Sequence, residues 1–161
     1  MILMTHARNR TKYICRNLPT RHENAQFYGS IEDCLQQQPV VHGHYMMLQR
    51  INAFDTHHKK ALITRDPVKG AISEIFHNIP LPDDYYLDPE VILPRIKERE
   101  AQQIEMAKLA ELIVDYEEVA DRFAELWDFF QLPHRQLEPF QPGRTPMPAN
   151  LDEIYARASG A

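Results

Sequence analysis

The sequence predicts an α/β domain: a parallel sheet of about four strands with helices on both faces, three layers in all. Three observations carry that prediction. Short apolar runs alternate with stretches of helical periodicity, the pattern of parallel strands joined by crossover helices. The clearest run, KKALITR at 59–65, is apolar through its centre without in–out alternation, as in an inner strand covered on both sides. Helix-start residues follow these runs closely, Thr11 after the first and Pro67 after the third.

Taken in order, ILMT at 2–5 is a short buried strand, and Thr11–Leu18 is a helix with Tyr13, Ile14 and Leu18 as its apolar members. Residues 19–29 are mixed and polar, and read as loop. Ser30 and Asp33 stand at capping-box spacing, so SIEDCLQQQ reads as a short helix that Pro39 ends. The β-branched start of PVVHGHYMML predicts a second strand running into a turn at Gly43, and LQRINAF a turn or two of helix. Beyond the third strand, Pro67 suits a first helical position, and Val68, Ala71, Ile72, Ile75 and Phe76 form a stripe at helical spacing. IPLPDDYYLDPE is a loop, and Asp88–Pro89 opens a long charged helix to about Lys108 with one wet face. LAELIVDY at 109–116 reads as a fourth strand, and Glu118–Phe130 as an amphipathic helix. Residues 1–133 are expected to form one compact domain, with 134–161 a Pro-rich extension packing on it.

Composition narrows the function. A chain of 161 residues, 43% hydrophobic and 25% charged, suits one folded domain. Acidic residues outnumber basic ones 23 to 18, for a net charge of -5, which argues against a general nucleic-acid binder but leaves room for a small anion at a local cluster of arginines. Cys15 and Cys34 make neither a disulfide framework nor a metal signature. No 18-residue apolar run is present, and MILMTHARNR has too short an apolar stretch for a signal peptide, so a cytoplasmic protein is expected.

In folds of this class ligands bind beyond the carboxyl ends of the strands. After the first strand, HARNRTKYICR crowds Arg8, Arg10, Lys12 and Arg16 at one corner, with Thr11 at a helix start: a phosphate or sulfate cradle, or a solvated basic helix. It lacks the GxxxxGK[ST] pattern. After the second strand, His42-Gly43-His44 offers two histidines; with no third metal ligand nearby, a single histidine taking a hydroxyl proton is the more economical functional reading. After the third, Arg65 stands at the tip with Ser73 two turns into the next helix, placed to clamp one anionic group, and Asp66 to cap the helix. After the fourth come Tyr116, Glu117 and Glu118, which either orient a loop or pack.

These segments resemble, in order, those of the PAPS-dependent sulfotransferase family. TRDPVKGAISEIFH is similar to the family's 3'-phosphate-binding segment, with Arg65 and Ser73 at the matching pair. HARNRTKYICRNL is similar to its 5'-phosphosulfate loop, Arg8 matching the basic position, Thr11 the first threonine and Tyr13 the aromatic. HGHY resembles the segment of the catalytic histidine, here His44. LIVDYEEVADRFAELWDFFQLP and NLDEI resemble later segments, and Pro142-Gly143-Arg144 echoes a Gly-rich basic loop. Arg10 replaces the loop glycine and Lys12 the second threonine, so a positive φ at position 10 would be strained.

The resemblance implies a P-loop-like three-layer sandwich and a sulfuryl transfer from PAPS to a hydroxyl or amine of a small-molecule or carbohydrate acceptor. It implies His44 as the base and Arg8 and Lys12 as catalytic cations. PAPS would contact Arg8, Asn9, Arg10, Thr11, Lys12, Tyr13, Arg65, Ser73 and Arg144, with Tyr13 stacking on the adenine and no metal required. Two other readings stand beside it. One is a non-catalytic descendant acting through protein contacts. The other is a different nucleotide-dependent transferase, whose metal carboxylates would be Asp66, Asp115 and Glu117.

Overall fold

Four parallel strands run through the middle of the computed structural model, which describes residues 1–140 and 145–160. They are β1 (Ile2–Thr5), β2 (Val41–His44), β3 (Lys60–Thr64) and β4 (Leu112–Asp115), hydrogen-bonded in the order β2-β1-β3-β4. Register pairs Thr5 with His44 at the carboxyl end of β1 and β2, and Thr64 with Asp115 at that of β3 and β4. The helices are α1 (Thr11–Asn17), α2 (Ile31–Gln37), α3 (Tyr45–Arg50), α4 (Pro67–Ile75), α5 (Pro89–Leu109), α6 (Phe123–Phe129) and α7 (Leu151–Ala158).

Strand alternation divides the core between the two faces. Leu3, Ala61, Ile63 and Val114 pack with Tyr13, Ile14 and Leu18 of the α1 segment and with Phe123, Leu126 and Trp127 of α6. Ile2, Met4, Val41 and Leu62 pack on the other face with Cys34 of α2, Leu48 of α3 and Met106 of α5. The three-layer prediction is therefore met. Each fully buried Leu or Ile contributes about 1.5–3 kcal/mol of hydrophobic stabilisation. A third cluster lies beside the sheet, where Val68, Ala71 and Ile72 of α4 meet Ile92 and Ile96 of α5 and Ile154 of α7. Both cysteines are buried thiols, and burial pushes Cys34 up to about 11 and Cys15 higher still. No helix among the described residues is long and apolar enough to cross a membrane.

Local signals explain most element starts. Ser30 Oγ accepts from the Asp33 amide, and Asp66 Oδ1 accepts from the amides of Val68 and Lys69 ahead of Pro67. Several boundaries differ from the sequence reading. The third helix spans Tyr45–Arg50 rather than the LQRINAF segment. Gly43 is inside β2 rather than in a turn, paired with Met4, and a Cβ there would stand 2.9 Å from the Ala25 Cβ. Helix α5 continues through Leu109, which shortens the fourth strand to Leu112–Asp115. Helix α6 begins only at Phe123, with turns before it. Arg144 and its neighbours at 141–144 lie outside the described residues.

Candidate functional site

The order of the strands reverses at the β1/β3 junction: the chain passes from β1 outward to β2, then returns to place β3 on β1's other side. Loops from such a junction diverge and leave a crevice. A cleft of about 1100 Å³ opens there. It is lined by Arg8, Arg10, Thr11, Lys12 and Tyr13 from the first loop and helix, His44 from β2, and Arg65 and Ser73 from β3–α4. Eight residues singled out from separate segments thus share one cavity.

Two of the expected site residues are engaged elsewhere, Asn9 wholly and Tyr13 in part. Asn9 is fully buried beneath the loop, its Nδ2 donating to the Ile63 carbonyl and its Oδ1 accepting from Arg99, so it supports the loop rather than facing the cleft. Tyr13 is only 8% exposed and packs edge-on against Phe123 and Phe140, which makes it chiefly a core residue. The carboxylates of the metal-transferase reading are otherwise engaged. Asp66 caps α4 and accepts from the Tyr155 hydroxyl of α7, while Asp115 accepts from the Glu117 amide. None of Asp66, Asp115 and Glu117 lines the cleft.

At the cationic end, the loop adopts the positive φ that its glycine replacement makes costly. Arg8 has φ 66° and Arg10 φ 60°. The left-handed conformation costs a non-glycine residue about 1–2 kcal/mol. The Arg10 guanidinium lies 3.9 Å from the Phe140 ring centroid and 4.4 Å from that of Tyr116, contacts that offset part of this cost. Arg65 lies 4.2 Å from the Tyr116 centroid and donates to the Arg8 carbonyl at 2.6 Å. Tyr116 therefore holds two guanidinium groups at once. The Nε atoms of Arg8 and Arg10 are buried without hydrogen-bond partners among the described residues. A polar group left so costs about 1–3 kcal/mol, and an anion in the cleft would relieve it.

Arg99, one charge among many on a charged helix and unmarked by any motif, supports this loop from α5. It is 3% exposed, and donates to the Ala7 carbonyl at 2.9 Å, to Asn9 Oδ1 at 2.7 Å and to Glu74 at 3.0 Å. Burial lowers it to about 10, so it stays charged at neutral pH. Gly70 leaves it room: a Cβ at 70 would stand 2.4 Å from Arg99 Nε.

The opposite end, over β2, is a closed hydrogen-bond ring. The Glu23 amide donates to His42 Nδ1 at 2.7 Å, which places the neutral His42 proton on Nε2. That proton meets Thr5 Oγ1 at 2.9 Å. The Thr5 hydroxyl then donates to His44 Nδ1 at 3.1 Å, and His44 Nε2–H donates to Glu23 Oε1 at 2.7 Å. Burial, then the neighbouring His44, holds His42 well below the usual imidazole range. With both ring nitrogens engaged, His44 has no free lone pair for an acceptor proton. The group that has one is the Glu23 carboxylate, which lines the same cleft. His22 joins from the side, its Nε2 2.7 Å from Thr11 Oγ1 and 3.6 Å from Glu23 Oε1. One ligand atom from each of His22, Glu23 and His44 lies within 4.8 Å of the other two. RHEN at 21–24 carried no readable signal, because Glu23 acts through residues 19 and 21 positions away.

No family model matches the chain, and no curated protein matches it significantly. A solved structure does resemble it, that of a sulfotransferase from Alicyclobacillus acidocaldarius. The TM-score is 0.57 at 15% identity, over 99% of this chain and 90% of that one. At that identity the likeness establishes a shared fold.

Proposed function

We propose that the cleft binds PAPS and that the protein moves its sulfuryl group to the hydroxyl or amine of a small-molecule or carbohydrate acceptor. The observation that carries the reading is the convergence of Arg65 and Ser73 with Arg8, Arg10, Thr11 and Lys12 on one cleft, where Arg8 Nε and Arg10 Nε are buried without partners among the described residues. The shared fold with a bacterial sulfotransferase supports it.

The residues present fit such a donor. Arg65 and Ser73 hold the 3'-phosphate at the far side of the switch point and fix its orientation. Arg8, Arg10, Lys12 and the Thr11 hydroxyl face the 5' side, where charge builds on the departing phosphate. PAPS supplies an activated sulfur–oxygen bond, which breaks as the acceptor atom bonds to sulfur. Glu23 takes the acceptor proton, and His44 orients that carboxylate and stabilises it by donation from Nε2. The base is thus a Glu23–His44 pair rather than His44 alone. Thr5 and His42 fix the pair from behind.

Calorimetric titration with PAP tests the reading. The wild-type chain is expected to bind PAP saturably, and a chain carrying Arg65→Ala and Ser73→Ala to bind it about 100-fold more weakly, as two charge-assisted or hydroxyl contacts of about 1–2 kcal/mol each are lost. A folded wild-type chain that ignores PAP would overturn the proposal and favour a non-catalytic role through protein contacts.

A further inference from the structure

We infer that His22, Glu23 and His44 form a binding site for one divalent transition-metal ion of the zinc type. Two imidazoles and one carboxylate are a known donor set for zinc with an open fourth position. Here Glu23 Oε1 lies 2.7 Å from His44 Nε2 and 3.6 Å from His22 Nε2. Ligand atoms about 2.0–2.1 Å from a tetrahedral ion stand roughly 3.3 Å from one another. These two separations lie within an ångström of that value, and the His22 and His44 ligand atoms lie within 4.8 Å of each other.

Ligating histidines are oriented by a partner on their other nitrogen, and His44 has Thr5 Oγ1 at Nδ1. His22 Nε2 exchanges its Thr11 Oγ1 partner, 2.7 Å away, for the ion. On metal uptake the neutral His44 ring carries its proton on Nδ1, where Thr5 Oγ1 accepts it, and offers the Nε2 lone pair. Glu23 is held in a left-handed backbone conformation, φ 53° and ψ 35°, with its amide tied to His42 Nδ1. Such strain persists only where the surroundings over-determine a residue. His42 itself is no ligand, being fully buried with both nitrogens engaged. All three ligands line the cleft, so the fourth position faces it and takes water or a donor atom of the acceptor.

The site rests on its own geometry and not on the sulfuryl reading, but it shares Glu23 and His44 with it. An ion held there engages Glu23 Oε1 and His44 Nε2 in place of the hydrogen bond between them, so metal occupancy and the Glu23–His44 pair are alternative states of one site.

The test titrates the metal-free 161-residue chain with ZnCl2 by calorimetry and with Co2+ by visible absorption, each variant first checked for fold by circular dichroism. A single ion is expected. His22→Ala and Glu23→Gln should each weaken uptake by at least about tenfold, and Thr5→Val, which alters no ligand, by about 10–100-fold. The Arg65→Ala, Ser73→Ala chain should keep full zinc affinity. No uptake, or equal uptake by the His22→Ala and Glu23→Gln chains, would overturn the inference. So would loss only on His58→Ala, since His58 stacks on His57 and lies 3.7 Å from Glu32. PAP is titrated into the same samples. Zinc bound without PAP sinks the sulfuryl reading and leaves the metal site standing; PAP bound without zinc does the reverse.

Discussion

The two ends of the cleft are built on opposite principles. Over β1 and β3 the cationic end is under-satisfied: Arg8 Nε and Arg10 Nε have no partner among the described residues, and two guanidinium groups share the Tyr116 ring. Over β2 the imidazole–carboxylate end is closed, with Glu23, His42, Thr5 and His44 meeting one another's needs in a ring. An under-satisfied group keeps its free energy for a ligand, whereas a satisfied ring keeps its geometry. The first end is suited to gripping charge, the second to presenting one carboxylate in a fixed place.

The sharpest way to break this contrast is Glu23→Gln. The side chain keeps its shape and loses its basicity, so transfer should fall by about 10²–10⁴-fold while calorimetric PAP affinity stays unchanged. Parallel loss of both would mean that the ends are not independent.

Arg99→Ala probes the support beneath the cationic end. It strands Asn9 Oδ1 and the Ala7 carbonyl in the interior, and should cost about 3 kcal/mol in urea unfolding. A loss below about 1 kcal/mol would mean that the loop stands without it.

Acid should loosen the histidine side of the fold. Burial lowers His6 to about 4, and lowers His22 and His42 as well. The unfolded chain therefore binds protons that the folded one refuses. For His6, stability is undiminished above about pH 6.5 and falls until about pH 4, by on the order of 3 kcal/mol. His6→Gln keeps a donor for Gln102 and does not titrate, so its urea midpoint should fall less over the same window. Identical acid limbs would remove His6 from the account.

The smallest effect is expected at Arg10→Gly. Relief of the left-handed backbone and loss of the two ring contacts roughly cancel, leaving stability within about 1 kcal/mol of wild type. PAP affinity should nonetheless drop about tenfold, the share of one charged contact. Unchanged affinity would take Arg10 out of the grip.

Much of this was legible before folding was considered. The Ser30 cap, the Asp66–Pro67 helix start, the apolar centre of 60–64 and the 3.6-residue stripe of α4 are short-range signals, written in neighbouring residues. Placing Arg8, His44, Arg65 and Ser73 near one another needed only the rule that parallel sheets bind ligands at their carboxyl ends. Tertiary structure alone decided the rest. Position 43 in β2 is glycine because Ala25 and Leu48 leave no room for a Cβ. Asn9 turns inward because Arg99, 90 positions away, holds it. The Glu23 carboxylate keeps a free lone pair that His44 lacks because His42 and His44 of β2, braced by Thr5 of β1, close around it from two other places in the chain. Such contacts join residues with no sequence relation, and their energies arise only once the sheet brings them together. The chain by itself determined the layers and the end of the sheet where the cleft opens; packing decided which side chains there keep free donors and lone pairs.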